Sequence, residues 1–189
     1  MDDLAFCIEI LPRVSRTFAL SIEALPEPLR AAVRTSYLLC RVVDTIEDDP
    51  DRGEDERQAL FEEFSAVVES DRRDVAELEA AFADRAGRSA DHELCARAGA
   101  PVREFRALDP ELREAARPPI MEMARGMAEY ARREPGSDGL TTLRDIGDLQ
   151  RYCYYVAGTV GNLLTELFLV VERENLDWET QQGLTERSV

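Results

Sequence analysis

The chain has no lysine: all 23 of its basic residues are arginine, and 39 acidic residues outnumber them, for a net charge of -16. So large an acid excess argues against a nucleic-acid-binding surface and favours a strongly solvated, soluble protein. Histidine is nearly missing, with His92 alone, and Cys7, Cys40, Cys95 and Cys153 show no paired spacing of the zinc-ribbon or redox type. Metal binding by soft ligands is therefore not expected, and a reduced, cytoplasmic setting is. The opening MDDLAFCIEI lacks a basic start and a long apolar core, so no signal peptide is expected there. The most apolar later run, 162–171, is broken by Thr165 and Glu166 and reads as far short of a membrane span. No alternation of polar and apolar residues is long enough to suggest a sheet.

What is present is helical periodicity, on a chain of 189 residues whose apolar content of 44% suffices for one domain with a substantial core. The fold class read from the pattern is all-α. Helices are expected over 15–24, 28–48, 55–85, 91–107, 119–133, 142–172 and from 177 to the end. They are punctuated by Pro26 and Pro28, the acidic loop DDPDRGEDE, GRSAD, the Pro118–Pro119 pair and EPGSDG at 134–139. Ile120, Met123, Met127 and Tyr130 recur at helical spacing and are assigned to the core.

Three stretches could carry chemistry. In RVVDTIEDDP, 41–50, carboxylates crowd directly behind an apolar run. On a helix, Asp44 and Asp48 stand at i and i+4 on one face, which also carries Tyr37 and Arg41. Like charges one turn apart, near the negative end of a helix dipole, call for a positive partner. Arg41 is one; a hard divalent cation held by oxygens, Mg²⁺, is another, with diphosphate esters as the natural substrate class. The alternative is a frayed, solvated helix end. VSRTFALS, 14–21, puts Ser15 and Phe18 on one face beside Arg16, a hydroxyl and a guanidinium able to hold phosphate; Ser15 could equally be a cap and Phe18 a core residue. YCYYVAGTVGNLLTELF, 152–168, places Tyr155, Gly158 and Asn162 on one face with Gly161 close by. Helix-interior glycines cost about 1 kcal/mol each and so mark tight packing or room for a ligand.

Taken together, SRTFA at 15–19, YLLCRVVDTIEDD at 37–49 and LQRYCYYVAGTVG at 149–161 resemble the squalene and phytoene synthase family of head-to-head prenyl transferases, in order, spacing and local sequence from about Phe6 onward. DTIEDD with YCYYVAG looks closer to squalene synthases than to plant phytoene synthases. The resemblance implies an isoprenoid-synthase-type helical bundle acting on farnesyl diphosphate. Asp44 and Asp48, with Glu47 a lesser candidate, would bind Mg²⁺ and diphosphate. Tyr37 and Arg41 would contact the diphosphate or the reacting centre, and Ser15, Arg16 and Phe18 would close over a substrate phosphate. Tyr155 would steer the carbocation or assist proton transfer, and Val156, Ala157, Gly158 and Gly161, with Asn162 on the same helix, would line the hydrocarbon channel. NADPH is implied if squalene is the product; without it, a dehydrosqualene-type product or phytoene is.

The family also carries a second aspartate-rich motif on a facing helix, which this sequence does not contain. The resemblance therefore implies that 1–189 is the N-terminal part of one all-α domain, expected to be inactive and aggregation-prone alone. Possible peripheral membrane contact for product release is implied too, at the inner membrane face. Two other classes stay open: a non-catalytic assembly protein of the same fold, expected to have degraded acidic motifs, and a terpene cyclase, which leaves SRTFA and YCYYVAGTVG without a role.

Overall fold

The structure, a computed structural model, describes residues 2–133 and 143–173, with the backbone alone for Arg16. Its elements are α1 (Asp3–Val14), α2 (Arg16–Glu23), α3 (Leu29–Asp48), α4 (Glu54–Glu69), α5 (Ala76–Ala80), α6 (Ala90–Ala96), α7 (Gly99–Ala107), α8 (Pro110–Ala131), α9 (Ile146–Cys153) and α10 (Thr159–Glu172), the last two joined by a π-helical turn at Tyr154–Gly158. Among the described residues every regular element is helical, and the fold is all-α.

The axis of the bundle is α3. Its Leu38, Leu39, Val42, Val43 and Ile46 are fully buried, because α1, α2, α4, α6, α7, α8 and α10 all pack around it. Its charged residues gather mainly along the seam of Arg30, Arg34, Tyr37, Arg41, Asp44 and Asp48, while the small polar Thr35 and Ser36 are buried with the apolar residues. Alongside it runs α8, whose Ile120, Met123, Met127 and Tyr130 are buried as the spacing predicts. Against both lies α10, which closes one side of the bundle.

Several boundaries differ from the sequence expectation. The segment 3–14, not expected as a helix, forms α1: Asp2 caps it by accepting from the Ala5 N–H at 2.7 Å, and Phe6, Cys7, Ile10 and Leu11 enter the core. The helix expected over 55–85 stops at Glu69 and resumes only at α5. In between, Ser70 and Asp74 accept backbone N–H groups two residues on, local bonds that compete with the helical ladder. The helix expected over 91–107 breaks at Arg97–Ala98 into α6 and α7. Conversely, Pro118 and Pro119 lie inside α8 and do not end it. Pro119 is itself buried beside Ala116 and Ile120, so packing against α3 and α4 offsets the lost ladder bonds. The expectations for 134–139 and for a helix from 177 lie outside the described residues.

The helix expected over 142–172 begins at Ile146, where Asp145 accepts from the Asp148 N–H at 2.8 Å. Asp148 then ties α9 to α8: it receives Arg133 on both oxygens and the Tyr130 hydroxyl at 3.0 Å. Because helix continues through the π turn, Ile146–Glu172 is 27 residues long and, by length and composition, could cross a membrane, unlike the shorter run read from sequence. Only 17% of its most apolar window is buried.

Candidate active site

The polar seam of α3 opens into a cavity of about 450 Å³. Phe18 and Ile22 of α2, Val33 and Cys40 of α3, and Met123 of α8 form part of its wall, with Val156 and Ala157 of the π turn and Val160, Leu164 and Phe168 of α10 on another part. The polar groups of the lining come largely from three successive positions on α3, Tyr37, Arg41 and Asp44. A largely apolar space thus carries a phenol, a guanidinium and a carboxylate on its α3 wall.

Their arrangement follows from the helical repeat. Arg41 donates from Nη1 to Asp44 Oδ2 at 2.9 Å, one turn along the same face, and from Nη2 to Asp91 Oδ1 of α6 at 2.7 Å. The Tyr37 ring lies 5.7 Å from that of Phe18, and its hydroxyl is within reach of the Ser15 side chain, while burial raises its pKa. Ser15 does act as a cap, its Oγ accepting from the Phe18 N–H at 3.2 Å. The cap places Phe18 beside Tyr37, and Phe18, 57% exposed, is not the core residue that the alternative reading made it.

Burial pushes the Asp44 carboxyl up to about 6, with the Asp48 charge adding to it and Arg41 opposing. Burial also pushes Glu47 up to about 7, reinforced by Asp48 and Asp44. Metal-free, the end of α3 therefore resists full ionisation. Folded pKa values above the unfolded ones mean that the folded chain holds protons the unfolded chain releases; this stability is complete below about pH 4 and is lost as pH rises toward 7. Glu47→Gln fixes the neutral form. In chelator at pH 8 it is expected to stabilise the protein by about 1–2 kcal/mol after allowance for solvent screening, and at pH 4 to change nothing. Denaturant melts of the two proteins at both pH values check this.

Asp49, the next residue in the acidic stretch, serves a different purpose. It is 2% exposed, receives Arg52 Nε at 2.9 Å and pairs with Arg85 Nη1, and His92 Nε2 stands 3.9 Å away. Among the described residues, no three His, Cys, Asp or Glu side chains converge to form a ready-made metal centre.

The cavity unites Phe18, Tyr37, Arg41, Asp44, Val156 and Ala157; Ser15 adjoins it, and Glu47 and Asp48 continue the acidic seam beyond it. Arg16 opens α2, its side chain outside what is described. Tyr155, Gly158, Gly161 and Asn162 do not line this space. The π turn adds a residue to its helical turn and shifts the register, so it is Tyr154 that shares a face with Gly158 and Asn162. A Cβ on Gly158 would sit 2.7 Å from the Tyr154 ring, and Asn162 Nδ2 donates to the Tyr154 hydroxyl at 3.2 Å. Tyr155 turns toward α8, where Gly126 makes room for it: a Cβ there would lie 2.1 Å from Tyr155 Cγ. Gly161 faces open space. The tyrosine in the field of the acidic seam is Tyr152, whose pKa is raised by burial and by Glu47, Asp48 and Asp44. Sequence reasoning passed over it, although it precedes the lining residue Val156 by one helical turn.

Residues 11–184 match the model of the squalene/phytoene synthase family. The chain is 33% identical over 170 residues to the squalene synthase of Eremothecium gossypii, covering 90% of this chain and 36% of that protein. It is 31% identical over 183 residues to the squalene synthase of Saccharomyces cerevisiae, covering 97% and 39%. A solved complex of TcSQS with the ligand E5700 superposes with a TM-score of 0.75 at 27% identity, covering 98% of this chain and 49% of that one. The chain thus spans between a third and a half of the length of these relatives. With the family model matching nearly its whole length, this chain belongs to the squalene/phytoene synthase family.

Proposed function

We propose that the protein condenses two farnesyl diphosphates head to head, through presqualene diphosphate, to a C30 hydrocarbon: squalene where NADPH supplies a hydride, a dehydrosqualene-type product where a proton leaves instead. The observation that carries this reading is the joining of an apolar cavity of about 450 Å³ to the Tyr37, Arg41 and Asp44 end of α3. A prenyl diphosphate has the same division, a hydrocarbon chain ending in concentrated negative charge.

The donor set at that end suits Mg²⁺: it is all oxygen, and Asp44, Glu47 and Asp48 crowd their charges, Asp48 raising the pKa of Asp44 and both raising that of Glu47 on top of burial. Asp44 and Asp48, with Glu47 beside them, are the residues that would hold it, and when bound it supplies neutralisation of the charge on the departing diphosphate. Arg41 and Tyr37 would hydrogen-bond the diphosphate oxygens. The aromatic faces of Phe18 and Tyr37 would stabilise positive charge at the allylic carbon, and the aliphatic wall would keep water from it. In the first stage one diphosphate and one proton leave as the two C15 chains join. The proton-transfer role read from sequence for Tyr155 is assigned to neither Tyr155 nor Tyr152, since neither is among the residues lining the cavity. Among the described residues the cavity lining offers one guanidinium, Arg41, so these residues alone do not hold the phosphates of NADPH, and the hydride that squalene requires is not assigned to them. A dehydrosqualene-type product needs no hydride donor.

The exposed Leu20, Ile146 and Phe168 support a cytoplasmic protein that meets the membrane peripherally through an apolar rim. The test is product analysis after incubating the full-length protein with farnesyl diphosphate and Mg²⁺, with and without NADPH. C30 products support the reading; C15 hydrocarbons alone, or unchanged substrate, contradict it.

A further inference from the structure

We infer that Asp91 is a positioning residue for the diphosphate site, acting through Arg41; the inference rests on the reading of Asp44 and Arg41 proposed above. The guanidinium of Arg41 is divided between two carboxylates, Asp44 at 2.9 Å through Nη1 and Asp91 at 2.7 Å through Nη2. All three side chains are partly buried, at 28%, 22% and 33% exposure. The group carries one net negative charge, so Asp44 keeps an attraction for a cation that a private two-point pair with Arg41 would cancel.

Asp91 is held in place from several sides. It lies in the first turn of α6, which Ser89 caps by accepting from the His92 N–H at 3.2 Å. Leu94 and Cys95 anchor α6 with no exposure, and His92 sets its ring beside buried Asp49. On the other side of the contact, Thr45 donates to the Arg41 carbonyl at 2.7 Å. Asp91 is therefore a fixed anion 50 residues from Arg41 in sequence, and it fixes the guanidinium at the cavity edge whether Asp44 holds it or turns to a cation. Without Asp91, Nη2 loses its acceptor and the planar fork is free to rotate fully onto Asp44.

The test uses the full-length protein with D91A, D91N, R41Q and the D91A/R41Q pair. The Arg41 side-chain N–H resonance, identified by its loss in R41Q, reports the order of the guanidinium. Binding of inorganic pyrophosphate with Mg²⁺, measured by calorimetry, reports the site. In D91A the Arg41 resonance is expected to broaden or move, and pyrophosphate affinity to fall on the order of ten-fold, with D91N between D91A and wild type. On the R41Q background D91A should cost less than about two-fold, since its effect runs through Arg41. An unchanged Arg41 resonance, or an equal affinity loss on both backgrounds, overturns the inference. If the resonance responds while wild type binds no pyrophosphate, the positioning of Arg41 stands and the proposed function falls.

Discussion

Asp44→Asn is expected to lower the rate of diphosphate release from farnesyl diphosphate on the order of 10²- to 10³-fold and to raise the Mg²⁺ concentration needed for half-maximal rate. The reasoning starts from position. Among the described residues, Asp44 is the one carboxylate that lines the cavity, pairs with Arg41 and adjoins Asp48 on the same helical face. Asparagine keeps the shape and removes the charge. Folding should survive, because burial already favours the neutral carboxyl at this position, with a pKa pushed up to about 6. A steady-state assay of pyrophosphate release, run beside a thermal melt, separates the two effects. An active D44N protein with unaltered Mg²⁺ dependence would remove Asp44 from the site.

Asp49→Ala has the opposite profile: it is expected to destabilise the protein by about 3–5 kcal/mol, lowering Tm by roughly 10 °C. Asp49 is 2% exposed and stands between Arg52 and Arg85, whose side chains are 5% and 12% exposed. Burial works against its ionisation, but the Asp51 N–H, Arg85 and Arg52 outweigh it and hold the carboxyl below its ordinary range. Removing the carboxylate leaves two guanidinium groups without their anion. Arg52 keeps its stacking on Phe82, 4.5 Å from the ring centroid, its bond to the Ala81 carbonyl and a long, exposed contact with Glu56 at 3.9 Å. Asp49→Asn retains acceptors without charge and should fall between. Denaturant titration measures both.

The contrast between Asp44 and Asp49 shows how far the sequence can be read. Periodicity placed Tyr37, Arg41, Asp44 and Asp48 on one face of a long buried helix, and α3 has that form because a 20-residue helix surrounded by neighbours leaves a strong, continuous pattern. Nothing local distinguishes Asp49 as a buried anchor, since its partner Arg85 arrives from 36 residues away. The division of Arg41 between Asp44 and Asp91 was hidden for the same reason. The apolar wall at Val156 and Ala157 was implied by the family resemblance and not by spacing, which pointed to Tyr155, Gly158 and Asn162. The roles of Tyr152, Tyr154 and Tyr155 were not legible, because a π turn changes the residues per turn and each tyrosine then faces a different way. Short helices were harder still: α6 is fixed by its Ser89 cap, both α5 and α6 by contacts with one another and with α4 and α3, and neither has enough turns to show a stripe.

The most direct measurement is a crystal structure of the full-length protein with Mg²⁺ and an unreactive thio-analogue of farnesyl diphosphate. The account predicts the diphosphate against Arg41 and Asp44, and the hydrocarbon running between Phe18 and the wall formed by Val156, Leu164 and Phe168. A hydrocarbon chain lying instead in the groove between α4 and α8, beside Gln58, Ser65 and Ala124, or a diphosphate far from the end of α3, would contradict it.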